Sequence, residues 1–203
     1  MKLYYSPGAC SLSPHIALYE SGLPFETVLA PTKTKKLPDG TDFRTINAKG
    51  YVPVLELDNG ERLTEGPAIV QYIGDQVPAK NLVPANGTME RYRLQEWLNF
   101  ITSELHKGFS PLFNPATPEN YKPVARQRLS ERFTWLEGQL AGRDYLAGDQ
   151  FSVADGYLFV VLRWAKALEF DFTALPNLGA FVDRVGSRPA VQQALAAEAG
   201  DKK

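Results

Sequence analysis

The chain has 203 residues and is almost electrically balanced, with 22 Lys and Arg against 23 Asp and Glu and a formal net charge of −1. This balance argues against nucleic acid as the main partner, because no basic surplus exists to displace counterions. Neither the first residues nor any later run resembles a signal peptide or a transmembrane helix, so we expect a cytoplasmic protein with no membrane partner. One cysteine and two histidines exclude an intrachain disulfide and leave little material for a metal site, so no metal is expected.

The first 77 residues alternate short strands with helices. Gly22 is a residue that commonly ends a helix, and Asp58-Asn59-Gly60 supplies the positive φ of a tight hairpin. The predicted elements are, in order, a strand at 2–6, a helix at 14–21, a strand at 25–29, hairpin strands at 53–57 and 61–64, and a helix at 68–76. This βαβ unit followed by ββα predicts a small α/β layer with a mixed sheet.

A turn-rich segment at 78–87 reads as a linker to a second region that is predicted to be entirely helical. Thr88 can cap a long helix, because the apolar residues after it recur at the spacing of one helical face. These residues are Leu94, Leu98, Ile101 and Leu105. Further helices are expected from about residue 117, through the apolar run at 157–162, and after Pro176 and Pro189. The predicted domains are therefore 1–77 and 88–203.

Cys10 follows the first predicted strand and its Pro-Gly turn and directly precedes a predicted helix. A thiol at a helix N-terminus faces unpaired backbone N–H groups and the positive end of the helix dipole, and both lower the pKa and favour the thiolate. A lone cysteine is otherwise often a buried apolar residue. The strand–turn–helix context favours a reactive sulfur at this position.

Two segments around the hairpin are candidates for ligand binding. Val52-Pro53 leads the first hairpin strand, where proline can simply start a strand or, in the cis form, turn the Val52 backbone toward whatever lies beside Cys10. Glu65 precedes Gly66-Pro67 at the start of a helix, where free N–H groups form an anion site. A carboxylate beside such a site suits a zwitterionic amino-acid group, and the alternative is that Glu65 only favours the helix dipole.

The long helix also carries a polar stripe of Asn99, Ser103 and His106, with Lys107 next to it. A polar stripe is usually the solvated face of a helix. Alternatively, these side chains together with Glu104 form the polar wall of a cleft.

Ser152 and Asp155 form a capping-box pattern immediately before the apolar run at 157–162. In such a box each of the two side chains can hold an exposed N–H group of the first helical turn. We therefore expect Asp155 to stabilise the fold and to take no part in catalysis.

Taken in order, these segments resemble a cytosolic glutathione S-transferase of the bacterial beta class over essentially the whole chain. The motifs that carry the resemblance are 1–5 with 7–15, Asn47-Ala48-Lys49-Gly50-Tyr51-Val52-Pro53, Leu63-Thr64-Glu65-Gly66, Glu96-Trp97-Leu98-Asn99-Phe100, Glu104-Leu105-His106-Lys107-Gly108 and Phe151-Ser152-Val153-Ala154-Asp155. The resemblance implies an α/β thioredoxin-like N-terminal domain, an all-α C-terminal helical domain, and assembly as a homodimer.

The resemblance also implies a glutathione site with roles assigned by position. The backbone of Val52, with Pro53 cis, would pair with the cysteinyl unit, and Lys35 would hold the glycyl carboxylate. Glu65 and the Gly66 N–H would hold the γ-glutamyl group, although many members of the family have Ser in place of Gly66. The residues that would complete the site, some of them from a partner subunit, are Asn99, Ser103, Glu104 and His106.

The catalytic chemistry implied by the resemblance centres on sulfur. Glutathione thiol is a poor nucleophile until its pKa falls, and the helix N-terminus, the Ser11 hydroxyl and the Lys107 cation would each favour a negative sulfur beside Cys10. His106 and Lys107 would face the sulfur and the second-substrate pocket. The resemblance implies that Tyr5 and Cys10 also bind glutathione, with Cys10 among the catalytic residues. Tyr5 and Ser6 carry the other hydroxyls near the thiol, and Phe109, Phe113 and Trp164 would line the pocket. We therefore expect detoxifying conjugation of glutathione, as co-substrate and with no other cofactor, to hydrophobic electrophiles.

Two further classes of function stay open at this stage. Cys10 with Ser13 three residues later is a one-thiol version of a redox pair, which would suit a glutathione-dependent thiol-disulfide oxidoreductase or a reductive dehalogenase. The other class is a binding protein that keeps the fold without catalysis. The presence of Cys10, Lys35, Glu65, His106 and Lys107 argues against that class, because a purely structural descendant need not keep them.

Overall fold

A computed structural model describes residues 1–200, which form two compact units. The first unit comprises Met1–Ala85 together with the C-terminal segment that begins at Ser187, and the second is Asn86–Gly186. The sequence predicted a helical domain that runs from residue 88 to the end of the chain. The structure differs at that end, because the last helix packs within the first unit.

The first unit is built on a four-stranded mixed sheet. Its strands are β1 (Lys2–Tyr5), β2 (Glu26–Leu29), β3 (Val54–Glu56) and β4 (Arg62–Thr64). Their order is β2-β1-β3-β4, with β1 parallel to β2 and antiparallel to β3. The β3–β4 hairpin pairs Val54 with Thr64, and its turn contains Gly60 at φ 85°, as the Asn-Gly signal predicts. This is the expected thioredoxin-like layer.

Helices α1 (Leu12–Ser21) and α2 (Gly66–Asp75) belong to the same unit, and α1 ends at Gly22 with φ 72°. The last helix, α8 (Pro189–Gly200), packs against α1. Two side-chain contacts support that packing: the ion pair of Arg188 with Glu20 at 2.6 Å and the buried contact of His15 Nδ1 with the Glu198 carboxylate at 3.1 Å. These contacts explain why a segment predicted to belong to the helical domain belongs to the first unit.

The second unit is helical throughout its regular elements. It contains α3 (Met89–Phe100), a π-helical segment (Ile101–His106), α4 (Lys107–Phe113), α5 (Lys122–Gln139), α6 (Val153–Ala167) and α7 (Pro176–Gly186). Helix α6 is buried on every side from Val153 to Leu162, as its apolar run predicts. Helix α5 begins at Lys122, later than the predicted 117, because residues 117–121 form turns closed by Thr117 N–H to Asn114 O and Tyr121 N–H to Pro118 O.

The long helix predicted after Thr88 is interrupted in its hydrogen-bond pattern but continues as one helical rod. Thr88 caps it, as expected, by accepting the Arg91 N–H. From Ile101 to His106 the chain is π-helical, and the Lys107 N–H bonds back to Thr102 O, five residues earlier. A simple 3.6-residue periodicity does not predict this change. Within the described part of the chain, none of the helices has both the length and the apolar composition needed to cross a membrane.

Candidate functional site

Cys10 lies in the tight loop that joins β1 to α1. Gly8 adopts φ 75° in that loop, the Ala9 N–H bonds to Ser6 O at 3.0 Å, and the Ser13 N–H bonds to Cys10 O at 3.1 Å. The Cys10 side chain is partly exposed, and its Sγ donates to Val52 O at 3.4 Å. The thiol therefore lies at the start of α1, as the sequence predicts. It also contacts the Val52 backbone, which is predicted to bind the cysteinyl unit of glutathione.

The Ser11 hydroxyl is used within the same loop. Its Oγ accepts the Ser6 N–H at 3.0 Å and donates to Ser6 O at 3.2 Å, and the residue is fully buried. The hydroxyl proton thus goes to a backbone carbonyl. This geometry supports a structural role for Ser11 and does not support the predicted donation to sulfur.

A second buried group supports the loop from the C-terminal helix. Glu198 accepts the Gly8 N–H at 2.8 Å through one carboxylate oxygen, and the other lies 3.1 Å from Nδ1 of His15. The Tyr5 ring, centred 5.4 Å from the His15 ring, is buried in the same region. The structure therefore places Tyr5 in the core of the first unit, although the sequence suggested it as a glutathione-binding residue.

The segment before β3 carries the next candidates. The Val52–Pro53 peptide bond is cis, as the resemblance implied. Lys35 Nζ donates to Gly50 O at 2.5 Å and lies 5.4 Å from the centre of the exposed Tyr51 ring. Lys35 thus contacts the segment that leads to Val52, so the residues predicted to bind two neighbouring units of the tripeptide lie close together.

Glu65 occupies the position before the first residue of α2. Its backbone has φ 68° and ψ 113°, a conformation that side-chain-bearing residues rarely adopt, and its side chain makes no cap hydrogen bond. The carboxylate points to solvent and is paired with the Lys49 ammonium, which also donates to Thr64 Oγ1 at 3.2 Å. Lys49 belongs to the motif at 47–53, and nothing in its local sequence predicts that it pairs with Glu65.

Gly66, the first residue of α2, is the position at which the resemblance led us to expect Ser in many relatives. A Cβ added there would meet only Pro53 Cγ, at 4.0 Å, which is an ordinary contact distance. Its φ is outside the left-handed region that favours glycine. The structure therefore gives no steric reason for glycine at this position.

The predicted polar stripe lies in and around the π-helical segment of the second unit. Asn99, Ser103, Glu104 and Lys107 are exposed. Ser103 Oγ donates to Asn99 O at 3.0 Å, and Glu104 accepts Arg132 Nε at 2.9 Å. The stripe thus already makes local contacts, and Arg132 is a partner that only the packing of α5 reveals.

His106 is half-buried at the end of the π-helical segment. Its Nδ1 lies 2.6 Å from the hydroxyl of the buried Tyr157, and its ring meets the edge of Trp164 with a 4.9 Å centroid separation. Phe113 is exposed, whereas Phe109 is fully buried between Phe113 and Trp164. Phe109 is therefore a core residue, and the prediction that it lines the second-substrate pocket is wrong.

Asp155 has the structural environment that the capping box predicts. It is completely buried, and its carboxylate accepts hydrogen bonds from the Leu146 N–H, the Ser152 N–H and the Ser152 hydroxyl, each at 2.8 Å. Burial raises the pKa of Asp155 to about 6, against the opposing effect of these hydrogen bonds. All three hydrogen bonds that the Asp155 carboxylate accepts stabilise the fold.

Comparisons with known proteins agree with this architecture. The family model for the glutathione S-transferase N-terminal domain matches residues 8–76, and the model for the C-terminal domain matches residues 100–189. A glutathione S-transferase of Escherichia coli O157:H7, GstA, is 48% identical over 198 residues, covering 98% of each chain.

Two solved structures are similar along nearly their whole length. A sphingomonad glutathione S-transferase complexed with glutathione is 51% identical with a TM-score of 0.95, covering 98% of this chain and 99% of its own. A bacterial beta class glutathione S-transferase from Sphingomonas chungbukensis is 49% identical with a TM-score of 0.94, covering 98% of each chain.

The chain therefore belongs to the glutathione S-transferase family. Within that family, the prediction of the bacterial beta class is confirmed. The predicted fold, a thioredoxin-like domain followed by helices, is confirmed as well.

Proposed function

We propose that this enzyme conjugates the thiolate of glutathione to hydrophobic electrophiles, with Cys10 beside the reacting sulfur. Glutathione is thus its co-substrate, as for the family. The observation that carries the proposal is the contact of Cys10 Sγ with Val52 O at 3.4 Å, which brings together two residues 42 positions apart in the sequence. Family membership supports transferase chemistry over the oxidoreductase and dehalogenase alternatives.

In the proposed reaction the glutathione thiol first loses its proton to solvent. The N-terminus of α1 stabilises the resulting negative sulfur, because the positive end of the helix dipole lies beside it. The thiolate then attacks the electrophilic carbon, a C–S bond forms, and the leaving group departs with its electron pair. Cys10 contributes polar surroundings for the sulfur and a thiol within reach for a mixed disulfide.

Binding of the tripeptide is proposed to use three contacts within the first unit. The Val52 backbone would pair with the cysteinyl unit, the Lys35 ammonium with the glycyl carboxylate, and the Glu65 carboxylate with the α-ammonium of the γ-glutamyl group. The Lys35 ammonium is complementary in charge to the glycyl carboxylate, and the Glu65 carboxylate is complementary to the α-ammonium. The Gly66 N–H, at the start of α2, would hold the γ-glutamyl carboxylate.

We assign the second substrate to the region around His106 and Lys107. The His106–Tyr157 contact orients the imidazole, and the aromatic surfaces of Trp164 and Phe113 suit an apolar ring. Asn99, Ser103 and Glu104 are proposed to act across a homodimer. The exposed apolar side chains of Met89 and Tyr92 on α3 support a partner that covers this helix.

Turnover of glutathione with 1-chloro-2,4-dinitrobenzene tests the proposal, since the thioether product absorbs light and chloride is released. We expect a rate that saturates in glutathione. No detectable turnover with this compound or with several other electrophiles would contradict the proposal.

A molar mass measured by light scattering, expected at twice the chain mass of 22.5 kDa, tests the dimer.

Replacement of Cys10 by Ala separates the functions that share this sulfur. If conjugation is the main activity, Cys10→Ala keeps turnover while disulfide reduction disappears. Loss of both activities in a folded variant would instead favour the redox function. Glutathione binding with no turnover in the unaltered protein would favour a binding protein.

A single thiol kept reduced suits the cytoplasm, where we place the enzyme.

A further inference from the structure

The Glu65 carboxylate is already paired with a cation of the protein itself. The Lys49 ammonium donates to Glu65 Oε1 and, at 3.2 Å, to Thr64 Oγ1. An α-ammonium group of a substrate needs the same kind of acceptors, because an ammonium carries three donors and no acceptor. Lys49 therefore occupies the place that the proposed function gives to the substrate's ammonium.

The backbone of Lys49 is held in a well-built turn. Its N–H donates to Asn47 Oδ1 at 3.2 Å, and the buried Asn47 also donates through Nδ2 to Tyr51 O at 2.7 Å and accepts the Gly50 N–H at 2.7 Å. The Lys49 side chain, in contrast, is 49% exposed. The base of the lysine is thus anchored, while its ammonium can move into solvent.

The backbone of Glu65 is held in place at the start of α2. Its carbonyl accepts the N–H groups of Ala68 and Ile69, both at 3.0 Å, and its φ of 68° is set by the start of α2. A cation that arrives at this carboxylate must compete with Lys49, which is already paired with it. Because the pair is exposed, the competition is weak enough for the lysine to leave.

We propose that Lys49 pairs with Glu65, is displaced by the α-ammonium of a γ-glutamyl substrate, and thereby lowers the enzyme's preference for ligands that carry this ammonium. This inference rests on the proposed role of Glu65. A ligand that brings its own ammonium replaces one ion pair with another at the same carboxylate. A ligand without an ammonium leaves the Lys49–Glu65 pair intact, so its affinity does not depend on that exchange.

The test is calorimetric titration of the full-length protein with S-methylglutathione, which cannot react with Cys10, and with its des-amino analogue. In Lys49→Gln the competitor is gone, so we expect the Kd of S-methylglutathione to fall by about two- to fivefold. The Kd of the des-amino analogue should not fall. An unchanged or raised Kd for S-methylglutathione, or an equal fall for both ligands, overturns the inference.

A matched charge control is Lys80→Gln, because Lys80 is exposed in the same unit and lies outside the proposed site. It should leave both Kd values unchanged, and a fall equal to that of Lys49→Gln would show a general charge effect and overturn the inference. In a Glu65→Gln background, Lys49→Gln should no longer tighten binding. If the unaltered protein does not bind S-methylglutathione, the proposed function fails and the inference with it. If it binds and Lys49→Gln does not tighten binding, only the inference fails.

Discussion

Two helices of this protein begin beside a carboxylate, and the two carboxylates are built in opposite ways. At the start of α2, the Glu65 side chain is 69% exposed, its backbone is at φ 68°, and it caps no N–H group. At the start of α6, Asp155 is fully buried and accepts three hydrogen bonds. In sequence both are acidic residues at a predicted helix N-terminus.

The difference shows how to separate a binding carboxylate from a structural one. A buried carboxylate must have its hydrogen-bond capacity used by the fold, because an unsatisfied charged group in the interior is costly. An exposed carboxylate in a strained conformation contributes little to stability, and such strain persists mainly where function requires it. Asp155 is of the first kind and Glu65 of the second.

The largest expected effect is on Asp155. Asp155→Ala leaves the buried Leu146 and Ser152 N–H groups without their acceptor, so we expect the free energy of unfolding to fall by about 3 kcal/mol. Urea denaturation at pH 7 measures this. Asp171→Ala is the control, because Asp171 is an exposed carboxylate that accepts from Thr173, and it should lower the free energy of unfolding far less than Asp155→Ala does. Equal losses of unfolding free energy in the two variants would contradict the distinction between a buried and an exposed carboxylate.

The second effect is the pH dependence of stability. Burial raises the pKa of Asp155 from 3.8 to about 6, so the folded protein holds this proton more tightly than the unfolded chain. The associated stabilisation is complete below pH 3.8 and is lost as the pH rises through about 6. Relative to Asp155→Asn, the free energy of unfolding should therefore fall by roughly 3 kcal/mol from pH 3.5 to pH 7. A rise over this range would mean that the hydrogen bonds outweigh burial.

A smaller free-energy change, confined to binding, is expected at Glu65. Glu65→Gln removes the charge that pairs with the substrate ammonium, so the KM for glutathione should rise by about tenfold. The free energy of unfolding should change by less than about 0.5 kcal/mol, because the Lys49–Glu65 pair is exposed. Glu119→Gln breaks another exposed pair, with Lys122, and should leave the KM unchanged. A stability loss in Glu65→Gln as large as that of Asp155→Ala would contradict the comparison.

The smallest effect is expected at the first residue of α2. Gly66→Ser adds a hydroxyl at this position, and the nearest atom to its new Cβ would be Pro53 Cγ at 4.0 Å. An added hydrogen bond to the γ-glutamyl carboxylate should lower the KM for glutathione by about two- to tenfold. Steady-state kinetics at fixed electrophile, with a melting curve to confirm folding, measure this. An unchanged KM would place the carboxylate elsewhere.

Much of the architecture was predictable because it depends on local signals. Periodicity and turn residues predict the strands, the Asn-Gly hairpin, the Gly22 helix end and the buried helix α6, and the structure contains each of them. The position of Cys10 before α1 follows from the same local reading. The π-helical segment was not predictable, since its 101–106 sequence has no breaker that distinguishes it from an ordinary helix.

By itself, the sequence determined the order of the elements, the family and the set of candidate residues, because these depend on neighbours in the chain. Only the tertiary structure decided what each side chain contacts. In the folded protein the Ser11 hydroxyl donates to Ser6 O, and Glu65 pairs with Lys49. Glu198 supports the Cys10 loop by accepting the N–H of Gly8, 190 positions away in the sequence. Contacts between residues distant in sequence arise from packing. A side chain that makes its hydrogen bonds in such contacts therefore has no local sequence pattern that predicts its partners.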